Sequence, residues 1–162
     1  GETFEECPNG TKRGILQQSQ GEKMIGIVVV THGELGKALI DSTRFIFGSL
    51  PEGIVAVSVD LETNPDKLRK NIEDGIKSVD RKSGILLLTD MFGGTPSNLA
   101  YSFQEEGQVE VLAGVNLPII IKAVDSRQNL KLAELAASLE KYGRQSITLA
   151  SGVLKGSGRD KD

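Results

Sequence analysis

The stretch "MIGIVVVTHGELGKALIDS", residues 24–42, decides how the chain folds. It begins with a short unbroken apolar run, rich in β-branched residues, which reads as a strand buried on both faces. The apolar period then lengthens, as a helix requires. Between the two stands His32, the only histidine in 162 residues. An imidazole at the end of a buried strand and the mouth of a helix is either a packing residue or a reagent, and the rest of the chain has to decide which.

The same alternation continues along the sequence. Short apolar runs predict strands at Ile25–Val30, Ile54–Val59, Ile85–Thr89 and Val109–Ala113, and amphipathic stretches predict helices at Leu35–Phe47, Asn64–Val79, Pro96–Phe103 and Leu117–Ala123. In the second helix Asn64 suits the cap and Pro65 the first helical position, with Leu68, Ile72, Ile76 and Val79 on one face. A further helix is expected over Leu130–Tyr142, ended by Gly143, and a last strand over Ser146–Ala150. Strands alternating with helices imply an α/β fold, an open doubly wound and mostly parallel sheet in the order 2-1-3-4. Residues 1–23 mix Gly, Pro, Gln and charges without a sustained period and read as a disordered leader or an extension ahead of Met24; residues 155–162 read as a disordered tail. The working domain is then 24–154.

Composition narrows the chemistry. The formal net charge of -3 comes with no long basic stripe, which disfavours nucleic acid as a partner. Cys7 is the only cysteine, so neither an internal disulfide nor a thiolate cluster is available, and with one histidine a zinc site has too few ligands. A carboxylate-bound magnesium remains open, but no metal and no cofactor is expected. The apolar runs fall far short of the roughly 20 residues of a membrane helix, and no signal-peptide pattern precedes them, so a cytoplasmic protein is expected.

In a sheet of this order, ligands bind beyond the carboxyl ends of strands 1 and 3, where the strand order reverses. His32 ends the first of these strands and Asp90 ends the third, in "GILLLTDMFGGTPSNLA". Gly93 and Gly94 permit a tight turn, and Thr95 followed by Pro96 reads as a cap and a first helical residue, so backbone N–H groups would face an anion. Thr31 and Gly33, on either side of His32, complete a candidate phosphoryl-binding set with Gly93, Gly94 and Thr95. One imidazole, one carboxylate and an anion cradle suggest a phosphoryl group received on nitrogen, with Asp90 fixing the tautomer and leaving the other ring nitrogen free to attack.

"VVVTHGELGKAL", "LLLTDMFGGTPSNLA" and "VLAGVNLPIIIKAV", in this order and spacing, resemble the IIA component of the mannose-family bacterial sugar phosphotransferase system over essentially residues 24–152. The resemblance implies a phosphocarrier that accepts a phosphoryl group from HPr on His32, with Asp90 as its partner, and passes it to a IIB subunit for sugar uptake. It places Thr95 as the hydroxyl beside the phosphoryl group and maps Gly114, Asn116 and Pro118 onto a loop near the site. It also implies a homodimer in which the last strand crosses to the partner's sheet, and contact with a membrane only indirectly, through a permease complex. Dihydroxyacetone-kinase donor subunits share the fold and the histidine but usually carry a different loop after the aspartate; the intact "FGGTP" favours the sugar branch.

Two other readings compete. In a regulatory protein of the same system, the phosphorylation state would be read by a partner, without transport. In a receiver-type signalling module Asp90 itself would be phosphorylated with magnesium, which needs an acidic pair after strand 1, where this chain has "THGE".

Overall fold

The computed structural model describes residues 23–80 and 82–156, so the expectations for the leader and for the end of the tail lie outside the described residues. Four strands, β1 (Gly26–His32), β2 (Ile54–Val59), β3 (Ile85–Thr89) and β4 (Val109–Ala113), form one parallel sheet in the order β2-β1-β3-β4. Six helices complete the described chain: α1 (Leu35–Phe47), α2 (Pro65–Val79), α3 (Thr95–Tyr101), α4 (Leu117–Ser126), α5 (Leu132–Gln145) and α6 (Ala150–Gly156).

Alternation along the central strands explains the layers. Ile27 and Val29 of β1 and Leu86 and Leu88 of β3 point to one face, where Ile40, Ile119, Ile120, Leu135 and Leu139 cover them from α1, α4 and α5. Val28 and Val30, with Ile85 and Leu87, point to the other face, against Leu68, Ile72 and Val79 of α2 and Ala100 of α3. A strand covered on both sides cannot alternate in polarity, which is why "IVVV" and "ILLL" read as continuous apolar runs. Burial of such side chains is worth roughly 1.5–3 kcal/mol each and dominates the fold's stability.

Several boundaries differ from the sequence reading. β1 continues through Thr31 to His32, because both residues still pair with Ser58 and Val59 of β2. α4 runs on to Ser126, and α5 passes through Gly143 to Gln145 instead of ending there. Gly143 is buried inside α5 for a packing reason: a Cβ at that position would stand 2.6 Å from Ile119 Cδ1, so its missing side chain lets α5 close on α4.

The expected strand over Ser146–Ala150 is absent from the described chain. Ser146 is a turn at the end of α5, residues 147–149 pair with no strand, and Ala150 begins α6. A strand needs a neighbouring edge to satisfy its backbone, and β-branched composition alone does not supply one.

Candidate functional site

The register of the sheet places His32. Val30 is the last β1 residue opposite β3, facing Thr89, while β1 runs on beside β2 as far as His32, which pairs with Val59. The imidazole therefore projects beyond the end of β3, and Asp90, the first residue after that strand, reaches across to it.

One carboxylate oxygen holds the histidine twice. Asp90 Oδ2 accepts the backbone N–H of His32 at 2.8 Å and lies 2.8 Å from its ring Nδ1. The other oxygen, Oδ1, accepts the N–H of Met91 at 2.9 Å. An ionised carboxylate can only accept, so Nδ1 carries the proton and Nε2 is left with its lone pair. Burial alone would raise the Asp90 pKa, but the two bonds from His32, the imidazole's charge and the Met91 N–H outweigh it and hold the carboxyl below its usual value. The pair is asymmetric in exposure: the Asp90 side chain is 11% accessible and that of His32 51%. The carboxylate is hidden and the imidazole is presented.

The glycine loop lies against the ring. A Cβ on Gly94 would stand 3.3 Å from His32 Cε1, so residue 94 has to be small for the loop to approach this closely. Gly93 adopts φ +82°, the left-handed conformation that glycine tolerates at little cost, and turns the chain into α3. Gly94 occupies the cap position and Thr95 is already helical, contrary to the expected assignment of Thr95 as the cap; no side chain caps this helix start. Thr95 is exposed at the first position of α3.

Thr31 departs further from expectation. Its side chain is completely buried, and its hydroxyl accepts the N–H of Gly36 at 2.7 Å. It ties the start of α1 to β1 and faces away from the crevice. Gly36 makes that tie possible, since a Cβ there would stand 3.0 Å from Thr31 Oγ1. Glu34, at the cap position, makes no side-chain cap bond, so Thr31, five residues before Gly36, takes that task. The "T…G" spacing in "THGELG" was the available signal for it. Gly33 donates its N–H to Val59 O at 2.8 Å, fixing the loop beside the imidazole.

The third motif is built as a support. The N–H groups of Gly114 and Val115 both donate to Thr89 O at 2.9 Å, which locks the end of β4 to the residue preceding Asp90. Asn116 caps α4 by accepting the Ile119 N–H at 2.9 Å, and Pro118 sits in the first turn of that helix. Among the described residues no group of three or more His, Cys, Asp or Glu side chains is placed to hold a metal ion, and no helix is long and apolar enough to cross a membrane.

These features define a class: a doubly wound α/β protein with a histidine–aspartate pair at the switch point of its sheet. Residues 26–140 match the family model described as PTS system fructose IIA component. The chain is 33% identical over 133 residues to the fructose-specific EIIA component of Bacillus subtilis, covering 82% of this chain and 90% of that protein. It is 27% identical over 125 residues to the mannose-specific EIIAB component of Escherichia coli, of whose length it spans only 38%. The crystal structure of the phosphotransferase system component EIIA from Streptococcus agalactiae superposes with a TM-score of 0.72 at 26% identity, covering 80% of this chain and 99% of that one. The chain belongs to the mannose-family EIIA components of the bacterial sugar phosphotransferase system, and as such is a phosphotransferase.

Proposed function

We propose that the protein is a phosphohistidine carrier that takes a phosphoryl group from HPr onto His32 Nε2 and delivers it to a IIB subunit. The observation that carries this reading is the pair of bonds from Asp90 Oδ2 to the ring and backbone of His32, which leaves Nε2 as the free nucleophile on a half-exposed ring. As the new P–N bond forms, the bond to the donor's imidazole breaks and that ring leaves with the electron pair. His32 becomes a phosphoimidazolium, keeping its Nδ1 proton against the Asp90 carboxylate, while the donor returns to neutral imidazole, so charge is conserved. Gly93, Gly94 and Thr95 supply the backbone and hydroxyl groups beside the phosphoryl oxygens. Thr31 and Gly33 hold the loop that carries the histidine.

The IIB assignment draws on the Escherichia coli relative, whose name joins an A and a B component in one chain. The homodimer implied by the resemblance gains support from the C-terminal segment, where Ile147, Leu149, Val153 and Leu154 are exposed apolar side chains. Sedimentation at micromolar concentration gives a dimer on this reading; a monomer there rejects it.

The deciding experiment is transfer from labelled phospho-HPr. Wild-type protein acquires alkali-stable, acid-labile label and His32→Ala acquires none. Alkali-labile label, or undiminished labelling of His32→Ala, overturns the reading and points to an acyl phosphate on Asp90.

A further inference from the structure

Two buried hydroxyls of this protein are paired within the fold: Thr31 Oγ1 accepts the Gly36 N–H at 2.7 Å, and Thr43 donates to Leu39 O at 2.9 Å. Those of Thr89 and Ser97 are not. Both residues are completely buried, and neither side-chain oxygen has a hydrogen-bond partner among the described residues. Ser58 shares this lack, but it is a half-buried residue of the edge strand β2. A buried hydroxyl without a partner is costly, since valine in place of threonine, or alanine in place of serine, leaves no polar group unpaired.

The two hydroxyls stand at either end of one loop. Thr89 directly precedes Asp90, and Ser97 lies in the first turn of α3, so residues 90–94, with the carboxylate and the glycines beside the imidazole, run between them. Both side chains enter the same layer. Thr89 follows Leu87 by two along β3 and Ser97 precedes Ala100 by three along α3, and Leu87 and Ala100 share the core between the sheet, α2 and α3. The backbone is fixed at both ends of the loop. Thr89 O accepts the N–H groups of Gly114 and Val115 at 2.9 Å, and Gly94 O accepts that of Asn98 at 2.9 Å. Between these anchors Gly93 is exposed and at positive φ.

We propose that Thr89 and Ser97 are positioning residues for phosphoryl transfer, whose hydroxyls take up backbone carbonyls of the 90–94 loop when it closes on the phosphoryl group at His32. The inference rests on the phosphocarrier reading above. A peptide group is planar, so when the Gly93 and Gly94 N–H groups turn outward to the phosphoryl oxygens, the Phe92 and Gly93 carbonyls turn inward. The two hydroxyl donors lie on that buried side. A bond absent from the resting protein and made only as the loop closes lowers the barrier without tightening the resting state, which is how an interaction raises a rate.

The test is single-turnover labelling of the intact chain from phospho-HPr, with the melting temperature of the unphosphorylated protein measured beside it. Thr89→Val and Ser97→Ala are each expected to slow labelling at saturating donor about fivefold, the effect of one lost hydrogen bond, while the donor concentration that gives half the maximal rate stays at its wild-type value. Neither substitution should lower the melting temperature, because the resting protein loses no bond. Thr89→Ser keeps the hydroxyl and should label at the wild-type rate. The inference is overturned if either Thr89→Val or Ser97→Ala labels as fast as the wild type, or if Thr89→Ser is as slow as Thr89→Val. It is also overturned if Thr89→Val or Ser97→Ala melts below the wild type, which would reveal a partner for that hydroxyl in the resting protein. A wild-type protein that takes no label on His32 overturns the phosphocarrier reading instead.

Discussion

Two loops of this protein are built to nearly the same plan, and they differ in one respect that separates support from chemistry. The β3–α3 loop, "DMFGGTP", and the β4–α4 loop, "GVNLP", each carry a glycine at positive φ, Gly93 at +82° and Gly114 at +91°, and each runs into a helix with proline in its first turn. In the second loop Asn116 turns its side chain back onto the Ile119 N–H and closes the helix start. In the first loop the cap position is held by Gly94, which has no side chain to spend on its own helix and lies against the His32 ring. A helix start closed by its own cap is a structural device, whereas one left without a side-chain cap beside the His32 ring keeps its N–H groups for another acceptor, as the proposed function requires.

The hardest test of this contrast removes the charge that organises the first loop. Asp90→Asn retains the size of the side chain but not the acceptor that fixes the tautomer and stabilises the imidazolium, and phosphoryl acceptance is expected to slow by about two orders of magnitude or more, by analogy with the aspartate of hydrolase triads. Single-turnover labelling from phospho-HPr measures it. A rate within a few-fold of wild type would show that the pair is ornamental.

Smaller effects discriminate between the loops themselves. Gly94→Ala puts a methyl group 3.3 Å from His32 Cε1 and 3.6 Å from Met91 Cγ, so it should reduce the labelling rate about tenfold through a misplaced ring while leaving the melting temperature nearly unchanged. Asn116→Ala should do the reverse. It removes a cap worth about 1 kcal/mol, lowering the melting temperature by roughly 2–4 °C, with the labelling rate unaffected. Equal losses of rate in the two proteins would erase the distinction drawn here.

The mildest effect is on acid stability. Folding lowers the Asp90 pKa from 3.8, so the stability this carboxylate contributes is fully present above that value and is lost as the pH falls through the lower, folded one. Wild-type stability should therefore decline with acid in that window more steeply than that of Asp90→Asn, as followed by denaturant unfolding at a series of pH values. Parallel declines would mean that the carboxylate titrates alike in the folded and unfolded chains.

Much of this arrangement was legible before any coordinates. Three of the four strand ranges and the whole of α1 agree residue for residue with the pattern of apolar residues, and Asn64 caps α2 by accepting the Lys67 N–H at 2.8 Å, as its position before Pro65 suggests. The pairing of His32 with Asp90 was also available, because a 2-1-3-4 sheet brings the ends of strands 1 and 3 together whatever the residues there. The direction of Thr31 was not available. Its backbone sits beside His32, but strand pleating sends its side chain into the protein, where it serves Gly36.

Local pattern therefore determined the four strands of the sheet and the five helices that follow them, and it singled out His32 and Asp90 at the strand ends, since periodicity and end signals are written in neighbouring residues. Tertiary structure alone decided which oxygen of Asp90 does what, that Gly143 continues a helix, and that Ser146–Ala150 forms no strand within the described chain. Each of those depends on a distant partner. A carboxylate is oriented by the N–H groups that reach it, a glycine in a helix is retained where another helix presses against it, and an extended segment becomes a strand only when a second edge takes up its hydrogen bonds.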